Sequence, residues 1–357
     1  MEKANPAAAP ARRTTIKDVA AALNVAVSTV SNAYNRPDQL SAALRTRILE
    51  TAERLGYPGP NPIARGLRTR SSGTVVVLLG QPLAMAFADS VAAETLAGIA
   101  AGLSDAGYSL QIVPGDARGG LPAADGVIVI CPQKDDPMLT TVLRHGGPVV
   151  VVDLPAAGGV GRVAVDDEMA ARAAFGHLTG LGHKRIAIVI DRLTDGGKVG
   201  FTKVKKNPDS PWPRTVARLR GYRAGADAAG IDWSDVPVYA AGDASPEAAA
   251  AALEAILDDR KKTTGILCIN DALAAGVLAA ARAKGMAVPG RLSIVGFDDT
   301  ALARSANPPL TSVRQPHAAK GRAAAAALLA RIAGEDEPAP GRMAPKIVVR
   351  GSSGAPS

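Results

Sequence analysis

Residues 24–35, NVAVSTVSNAYN, carry short hydrogen-bonding side chains at helical spacing. Val30 and Ala33 fall on one face of such a helix, and Val27, Ser28 and Asn32 lie on its exposed side with Thr29 and Ser31 beside them. Small polar side chains near a helix start reach into a major groove without bulk. That makes Val27, Ser28 and Asn32 candidates for base edges, and Thr29 and Ser31 for phosphates. The plain alternative is a small bundle whose polar face is merely solvated. Nucleophilic and metal chemistry find no support. His145, His177, His183 and His317 have no serine or cysteine nucleophile in a recognisable context, and Cys131 and Cys268 lie far apart without metal-ligand spacing. GGVG near residue 158 lacks the flanking strand and helix of a phosphate loop. No catalysis and no cofactor are expected.

Charge is concentrated at one end. The first 73 residues hold eleven Lys/Arg against five Asp/Glu, a surplus of six out of the net +8 of the whole chain. A basic end on a nearly balanced body suggests a polyanion partner for that end, and its helical periodicity argues against a solubilising tail. With 357 residues and 47% apolar content, two or three domains and a large core are expected. No apolar run is long enough to cross a bilayer, and MEKANPAAAPARR lacks the apolar stretch of a secretion signal. The expectation is a cytoplasmic protein with reduced thiols and no membrane partner.

The elements that must position these residues are legible from periodicity. Thr15 can cap a helix with Asp18 three residues on, placing Ile16, Val19, Ala20 and Leu23 on one face. Asn24 tolerates the left-handed conformation of a helix exit. A second helix runs from about Val27 to Tyr34, Pro37 blocks its continuation, and Ser41 can cap a third with the stripe Leu44, Ile48, Ala52 and Leu55. Two helices joined by a tight turn and followed by a third make a helix-turn-helix.

From Thr74 the pattern changes to strands alternating with helices. TVVVLLG, SLQIVPG, GVIVI and PVVVVD read as buried strands of one parallel sheet, and RIAIVI, VPVYAA, GILCIN and LSIVGF as those of a second. Two sheets imply two lobes, with expected crossings near Val163–Asp166, Phe297–Asp299 and Ser312–Gln315. The stretch from Pro114 to Gly126 is too short for an ordinary crossover helix, so a helix is expected to be missing there. The Gly, Asp and Lys rich segment 191–211 reads as loop.

The order TIKDVA, STVSNAYN, RILETAERLGY and NPIARGL, then a strand, resembles the LacI/GalR family of bacterial transcriptional repressors. The likeness continues through HLTGLGHKRIAIV, RLRGYRAG, CINDALAAGVLAA, VPGRLSIVGFDD and PPLTSVRQP, all in family order. It implies a small all-α helix-turn-helix domain ahead of an α/β two-lobe, periplasmic-binding-protein-like (type I) core with parallel sheets. It further implies DNA contacts from Thr15, Val27, Ser28, Thr29, Ser31, Asn32 and Asn35, and from Asn61, Ala64 and Leu67 in a hinge helix whose leucine wedges into the minor groove. A hinge so short is marginal alone and is expected to be unfolded off DNA. The sequence departs from the family at three points, one of them Gly66 inside the hinge helix, which costs up to about 1 kcal/mol in helix propensity. Asn32 stands where many members have Arg, favouring adenine over guanine edges, and Ala26 replaces the usual serine cap, forfeiting about 1 kcal/mol.

The likeness also points to a cleft at the strand ends. Arg218 and Asp271 match effector-contacting positions, Asp153 closes another strand, and Phe87 lies in the loop after VVVLLG. An Arg fork and a carboxylate bind paired hydroxyls bidentately, and they also suit nucleobases or small acids. Alternatively, Asp271 caps its helix, Arg218 pairs with a structural carboxylate, and Asp153 and Phe87 serve the core. The expected organisation is a basic tail 1–13, helix-turn-helix 14–59, hinge 60–72, core 73–345 and terminal strand and tail 346–357. Within the core, one lobe is expected at about 73–163 and 299–314, the other at about 164–298 and 315–345. The expected protein is a homodimeric regulator of a pseudopalindromic operator on double-stranded DNA, controlled by a small-molecule effector acting as inducer or corepressor. No leucine heptad in the tail supports a coiled-coil tetramer. The competing class is a cytoplasmic solute-binding protein without a gene-regulatory role.

Overall fold

Thr15 opens the first helix, α1 (Ile16–Leu23), as its sequence suggests: its backbone N–H and hydroxyl both donate to the Asp18 carboxylate, at 2.8 and 2.7 Å. Asn24 then closes it in the left-handed region, φ 53° and ψ 45°. The computed structural model describes residues 14–60, 71–115, 117, 120–153, 160–194, 196–259, 262–338 and 343–357. Its contacts divide the chain into two units, Met1–Ser72 and Gly73–Ser357.

In the first unit, α2 (Val27–Asn35) and α3 (Ala42–Arg54) pack with α1 around Val19, Ala20, Val30, Ala33, Ile48 and Ala52. Ser41 Oγ accepts the Leu44 N–H at 3.3 Å and so caps α3. No side chain caps α2, as Ala26 foretells. The expected hinge residues Asn61, Ala64, Gly66 and Leu67, and the basic tail, lie outside the described residues.

The second unit holds two sheets. In the first, β1 (Thr74–Leu79), β2 (Ser109–Pro114), β3 (Gly126–Ile130), β4 (Val149–Val152) and β5 (Gly161–Val163) are parallel in the order β2-β1-β3-β4-β5. All four valines of β4 are buried, because helices or chain cover both faces. The helices of this lobe are α4 (Leu83–Ala88), α5 (Ser90–Asp105) and α6 (Pro137–His145). Between β2 and β3 the described residues form no helix. Ala117, Leu121 and Ala124 instead pack against the cluster that holds Val76, Leu78 and Val129.

The second lobe adds α7 (Asp167–Gly180), β6 (Ile186–Ile190), β7 (Gly200–Thr202), α8 (Pro213–Ala228), β8 (Val238–Ala240), α9 (Pro246–Asp259), β9 (Gly265–Cys268), α10 (Asp271–Ala283), β10 (Ser293–Asp298), α11 (Ala301–Ser305) and β11 (Thr311–Arg314). After α12 (His317–Ala333) the chain ends in β12 (Lys346–Val348) and a tail. The sheet order is β12-β11-β10-β9-β6-β8-β7, parallel except for the antiparallel edge strands β12 and β7. Thus the segment 191–211, expected as loop, contains an edge strand.

The lobe assignment of residues 299–345 is corrected. β11 pairs with β10 in the second sheet, Val295 opposite Thr311, so 299–314 stays with the second lobe rather than joining the first. Then α12, expected in the second lobe, buries Ala324, Ala325, Ala327 and Leu328 in the first lobe's core against Ile99 and Leu103. Glycine decides this packing. A Cβ at Gly98 would run into the Ala318 carbonyl, and one at Gly321 into the Thr95 carbonyl, so the backbones of α5 and α12 touch. The chain therefore crosses at 164–166 and 315–316, returns before β12, and does not cross near Phe297–Asp299. Among the described residues no helix is long and apolar enough to cross a membrane, and no group of three acidic, His or Cys side chains is placed to hold a metal.

Candidate functional sites: a polar helix face and an interlobe cleft

On α2, Val27 is 42% exposed and Ser28 is exposed, while Thr29, Ser31, Asn32 and Asn35 are half-buried. Burying Val30 and Ala33 against α1 and α3 leaves this polar face outward. Two members are already engaged: Asn35 Nδ2 donates to the Ser31 carbonyl at 2.9 Å and to its hydroxyl at 3.2 Å. Asn32 Nδ2 reaches Gln39 Oε1 at 3.3 Å, a surface hydrogen bond that is cheap to exchange for a base. Thr15 is exposed at the start of α1 with its hydroxyl held by Asp18.

The second site is a cleft of ≈ 450 Å³ where the carboxyl ends of both sheets face each other. Gln81 after β1, Cys131 after β3, Asp153 after β4, Asn270 after β9 and Asp298 ending β10 all line it, joined by Trp212, Arg214 and Arg218 at the start of α8. Cys131, Asp153 and Asp298 have φ of 48°, 62° and 102°, strained values for residues with a Cβ, and all three line the cleft. Lys134, after β3, donates its N–H to the Pro211 carbonyl at 2.7 Å, so the two lobes also touch at the cleft mouth.

Buried charge is arranged in a chain. Arg218, 3% exposed, donates Nε to Asp167 Oδ1 at 2.9 Å, Nη1 to the Ile269 carbonyl at 2.5 Å and Nη2 to Asp298 Oδ1 at 3.0 Å, and its guanidinium lies 3.7 Å from the centre of the Phe297 ring. The expected effector contact is therefore a lining residue whose donors hold carboxylates in place. Asp153 Oδ2 accepts from Lys320 Nζ at 2.6 Å. Burial alone would push the Asp153 carboxyl up, but Lys320 and then Arg214 hold it below the usual carboxylate range. Asp298 is likewise lowered against its burial, chiefly by Arg218. Asp153 Oδ1 and Arg214 Nη1, both buried, have no hydrogen-bond partner. Arg214 Nη1 lies 3.9 Å from Asp153 Oδ2, an ion-pair distance too long for a hydrogen bond.

Two expected cleft residues lie elsewhere. Asp271 does not line the cleft: its carboxylate accepts the Thr300 N–H at 2.7 Å and the Ser312 hydroxyl at 2.6 Å, pinning α10 to the start of α11 and to β11. Burial, then the charge of Asp298, pushes its carboxyl up to about 7. Phe87 is 63% exposed on α4, outside the cleft and outside the core, because Ala86 is the residue of that short helix that turns inward. Sequence reasoning missed Arg214, Trp212, Asn270, Asp298 and Lys320. The strand-end rule that selected Asp153 applies equally to Asp298 in VGFDD, and Lys320 interrupts the alanine stripe of HAAKGRAAAAALL.

A helix-turn-helix head with a polar exposed helix, ahead of a two-lobed α/β core with a charged cleft, defines a DNA-binding regulator controlled by a small molecule. A model described as bacterial regulatory proteins, lacI family, matches residues 15–61, and one described as periplasmic binding protein-like domain matches residues 175–353. An HTH-type transcriptional regulator of Mycobacterium tuberculosis is 38% identical over 330 residues, covering 90% of this chain and 91% of that one. The crystal structure of a LacI-family transcriptional regulator from Corynebacterium glutamicum is 30% identical, with TM-score 0.69 over 95% of this chain and 98% of that one. A complex of the transcriptional regulator CelR with cellobiose is 28% identical, with TM-score 0.67 over 95% and 100%. The chain belongs to the LacI family of bacterial regulatory proteins and is an effector-controlled DNA-binding transcriptional regulator.

Proposed function

We propose that this chain is a cytoplasmic repressor that acts by binding alone, as a homodimer on a pseudopalindromic operator, and that a polyhydroxylated effector in the cleft sets its operator affinity. The observation that carries the effector reading is the pair of unmet buried groups, Asp153 Oδ1 and Arg214 Nη1. One needs a donor and the other an acceptor, and a hydroxyl supplies both. The cleft's cations Arg192, Arg214 and Arg218 are matched by Asp89, Asp153, Asp191 and Asp298, so the lining offers no excess positive charge to favour an anion. Trp212 adds an aromatic face for a sugar's C–H surface. The relative that holds cellobiose supports the same chemical class.

For DNA, Val27, Ser28 and Asn32 read bases, Thr15, Thr29, Ser31 and Asn35 hold phosphates, and Asn61, Ala64 and Leu67 form the minor-groove hinge. A dimer places two such heads one helical turn apart. An effector releases DNA only if it binds the non-operator conformation more tightly. Fluorescence polarisation with a duplex selected by the full chain tests the reading: affinity is expected to depend on sequence and to fall steeply with salt. A sugar or polyol panel read by thermal shift is expected to yield a ligand that raises the melting temperature and weakens that binding. Ligand binding without any selected duplex would favour a solute-binding protein instead.

A further inference from the structure

Lys320 stands fully buried on the α12 stripe that otherwise carries Ala324, Ala327 and Leu328. A buried ammonium is costly unless it is well paired, and a methionine would fill the same space at no electrostatic cost. Packing alone does not account for the charge. Its partners are Asp153 Oδ2 at 2.6 Å and Gln315 Oε1 at 3.3 Å. Gln315 lies where the chain leaves β11 in the second lobe for α12 on the first. Its Nε2 donates to Asp167 Oδ1 at 2.9 Å, the same oxygen that accepts from Arg218 Nε, and Arg218 Nη2 holds Asp298. An unbroken run of buried hydrogen bonds therefore joins Asp153, Lys320, Gln315, Asp167, Arg218 and Asp298. It begins and ends on carboxylates that line the cleft, one from each lobe.

We propose that Lys320 is a positioning residue that ties the two cleft carboxylates together through Gln315, so that the setting of Asp153 and the relation of the lobes change as one. By taking Oδ2, Lys320 leaves the buried Oδ1 of Asp153 without a partner beside the cleft. Gln315 passes any shift of Lys320 to Asp167 and so to the second lobe. A molecule gripping Asp153 then biases the lobe crossing, which is a physical coupling between the cleft and the arrangement of the core. This inference rests on the cleft being the effector site.

The protein carries its own reporter. Cys131 lines the cleft with Sγ 3.7 Å from Asp153 Oδ2, whereas Cys268 is fully buried in the second lobe's core. Gln315→Leu in the full chain cuts the link without changing charge. N-ethylmaleimide labelling, read by peptide mass spectrometry, is expected to modify Cys131 about five-fold faster in this variant than in the wild type, while Cys268 stays unmodified in both. Equal rates at Cys131 overturn the proposal, and so does a parallel rise at Cys268, which would mean unfolding rather than lobe opening. Lys320→Met, read by small-angle scattering of the same chain, is expected to enlarge the radius of gyration, and Lys320→Arg to restore it. Identical curves for all three overturn the proposal as well. Because no ligand or DNA is present, these outcomes leave the effector reading to its own thermal-shift test.

Discussion

Arg214 Nη1 stops 3.9 Å short of Asp153 Oδ2, and both residues border the cleft. Neither Nη1 nor the second carboxylate oxygen finds a hydrogen bond within the protein. An unmet buried donor and acceptor cost free energy, and the proposed hydroxylated effector is expected to offset that cost.

Arg214→Met tests the cleft's part in effector binding. A hydrogen bond to a charged group is worth about 1.5–3 kcal/mol, so effector affinity is expected to fall roughly 10- to 100-fold. The melting temperature is expected to fall as well, because Arg214 helps to hold the buried charges of Asp153 and Asp298. Titration calorimetry with the polyol giving the largest thermal shift measures the first, and calorimetric melting the second. Unchanged affinity would remove Arg214 from the site. Asp153→Asn behaves differently: it strips the carboxylate from the buried Lys320 ammonium and is expected to cost about 3–5 kcal/mol of stability.

On α2 the half-buried Asn32 spends one amide donor on Gln39, at 3.3 Å. Asn32→Ala is expected to weaken operator binding by about 1–3 kcal/mol and to relax discrimination at one base pair per half-site only. Polarisation assays on duplexes substituted one position at a time report this. A uniform loss across all sequences would instead make Asn32 a phosphate contact. Ala26→Ser should act in the opposite direction: it supplies the missing cap and adds about 1 kcal/mol to the helix.

What the sequence made legible follows from the range of the interactions involved. Capping by Thr15 and Ser41, the left-handed Asn24 and the valine runs of β1 and β4 depend on neighbours a few residues away, and periodicity finds them. The lobe to which β11 and α12 belong depends on partners far along the chain. β11 must find β10 and β12, and α12 must find Gly98. Composition alone does not show that Gly98 and Gly321 are glycines for each other. The cleft was half legible for the same reason. Asp153 could be placed by its strand end and Arg218 by the family likeness, but Asp271 and Asp298 both stand near strand ends, and only the hydrogen bonds from Thr300 and Ser312 assign Asp271 to structure and leave Asp298 for the cleft.

Asp271 gives the core a pH signature. Its carboxyl is raised from 3.8 to about 7 by burial and by Asp298, so the folded state holds this proton more tightly than the unfolded chain. The favourable contribution of protonated Asp271 is full below about pH 4 and is lost as pH rises through about 7, so its share of stability declines across that window. Asp271→Asn keeps the side chain neutral throughout. Between pH 5 and 8 the core's melting temperature should fall less steeply in the variant than in the wild type, as read by calorimetry at matched ionic strength. Parallel curves would mean that Asp271 is already ionised at pH 5.

Gly98 and Gly176 lie in helices of different lobes and should respond oppositely to one extra methyl group. At Gly98 on α5 a Cβ meets the Ala318 carbonyl of α12, which is backbone and does not swing aside. Gly98→Ala must push the two helices apart, and overpacking of this kind costs about 1–3 kcal/mol or more. Gly176 on α7 is exposed with nothing within 4 Å of where its Cβ would stand, so Gly176→Ala is expected to gain up to about 1 kcal/mol from helix propensity and reduced unfolded-state freedom. Urea denaturation of the two variants in parallel compares them on one scale. If Gly98→Ala proves as stable as the wild type, the close backbone contact that places α12 on the first lobe is wrong, and with it the position of Lys320 beside Asp153.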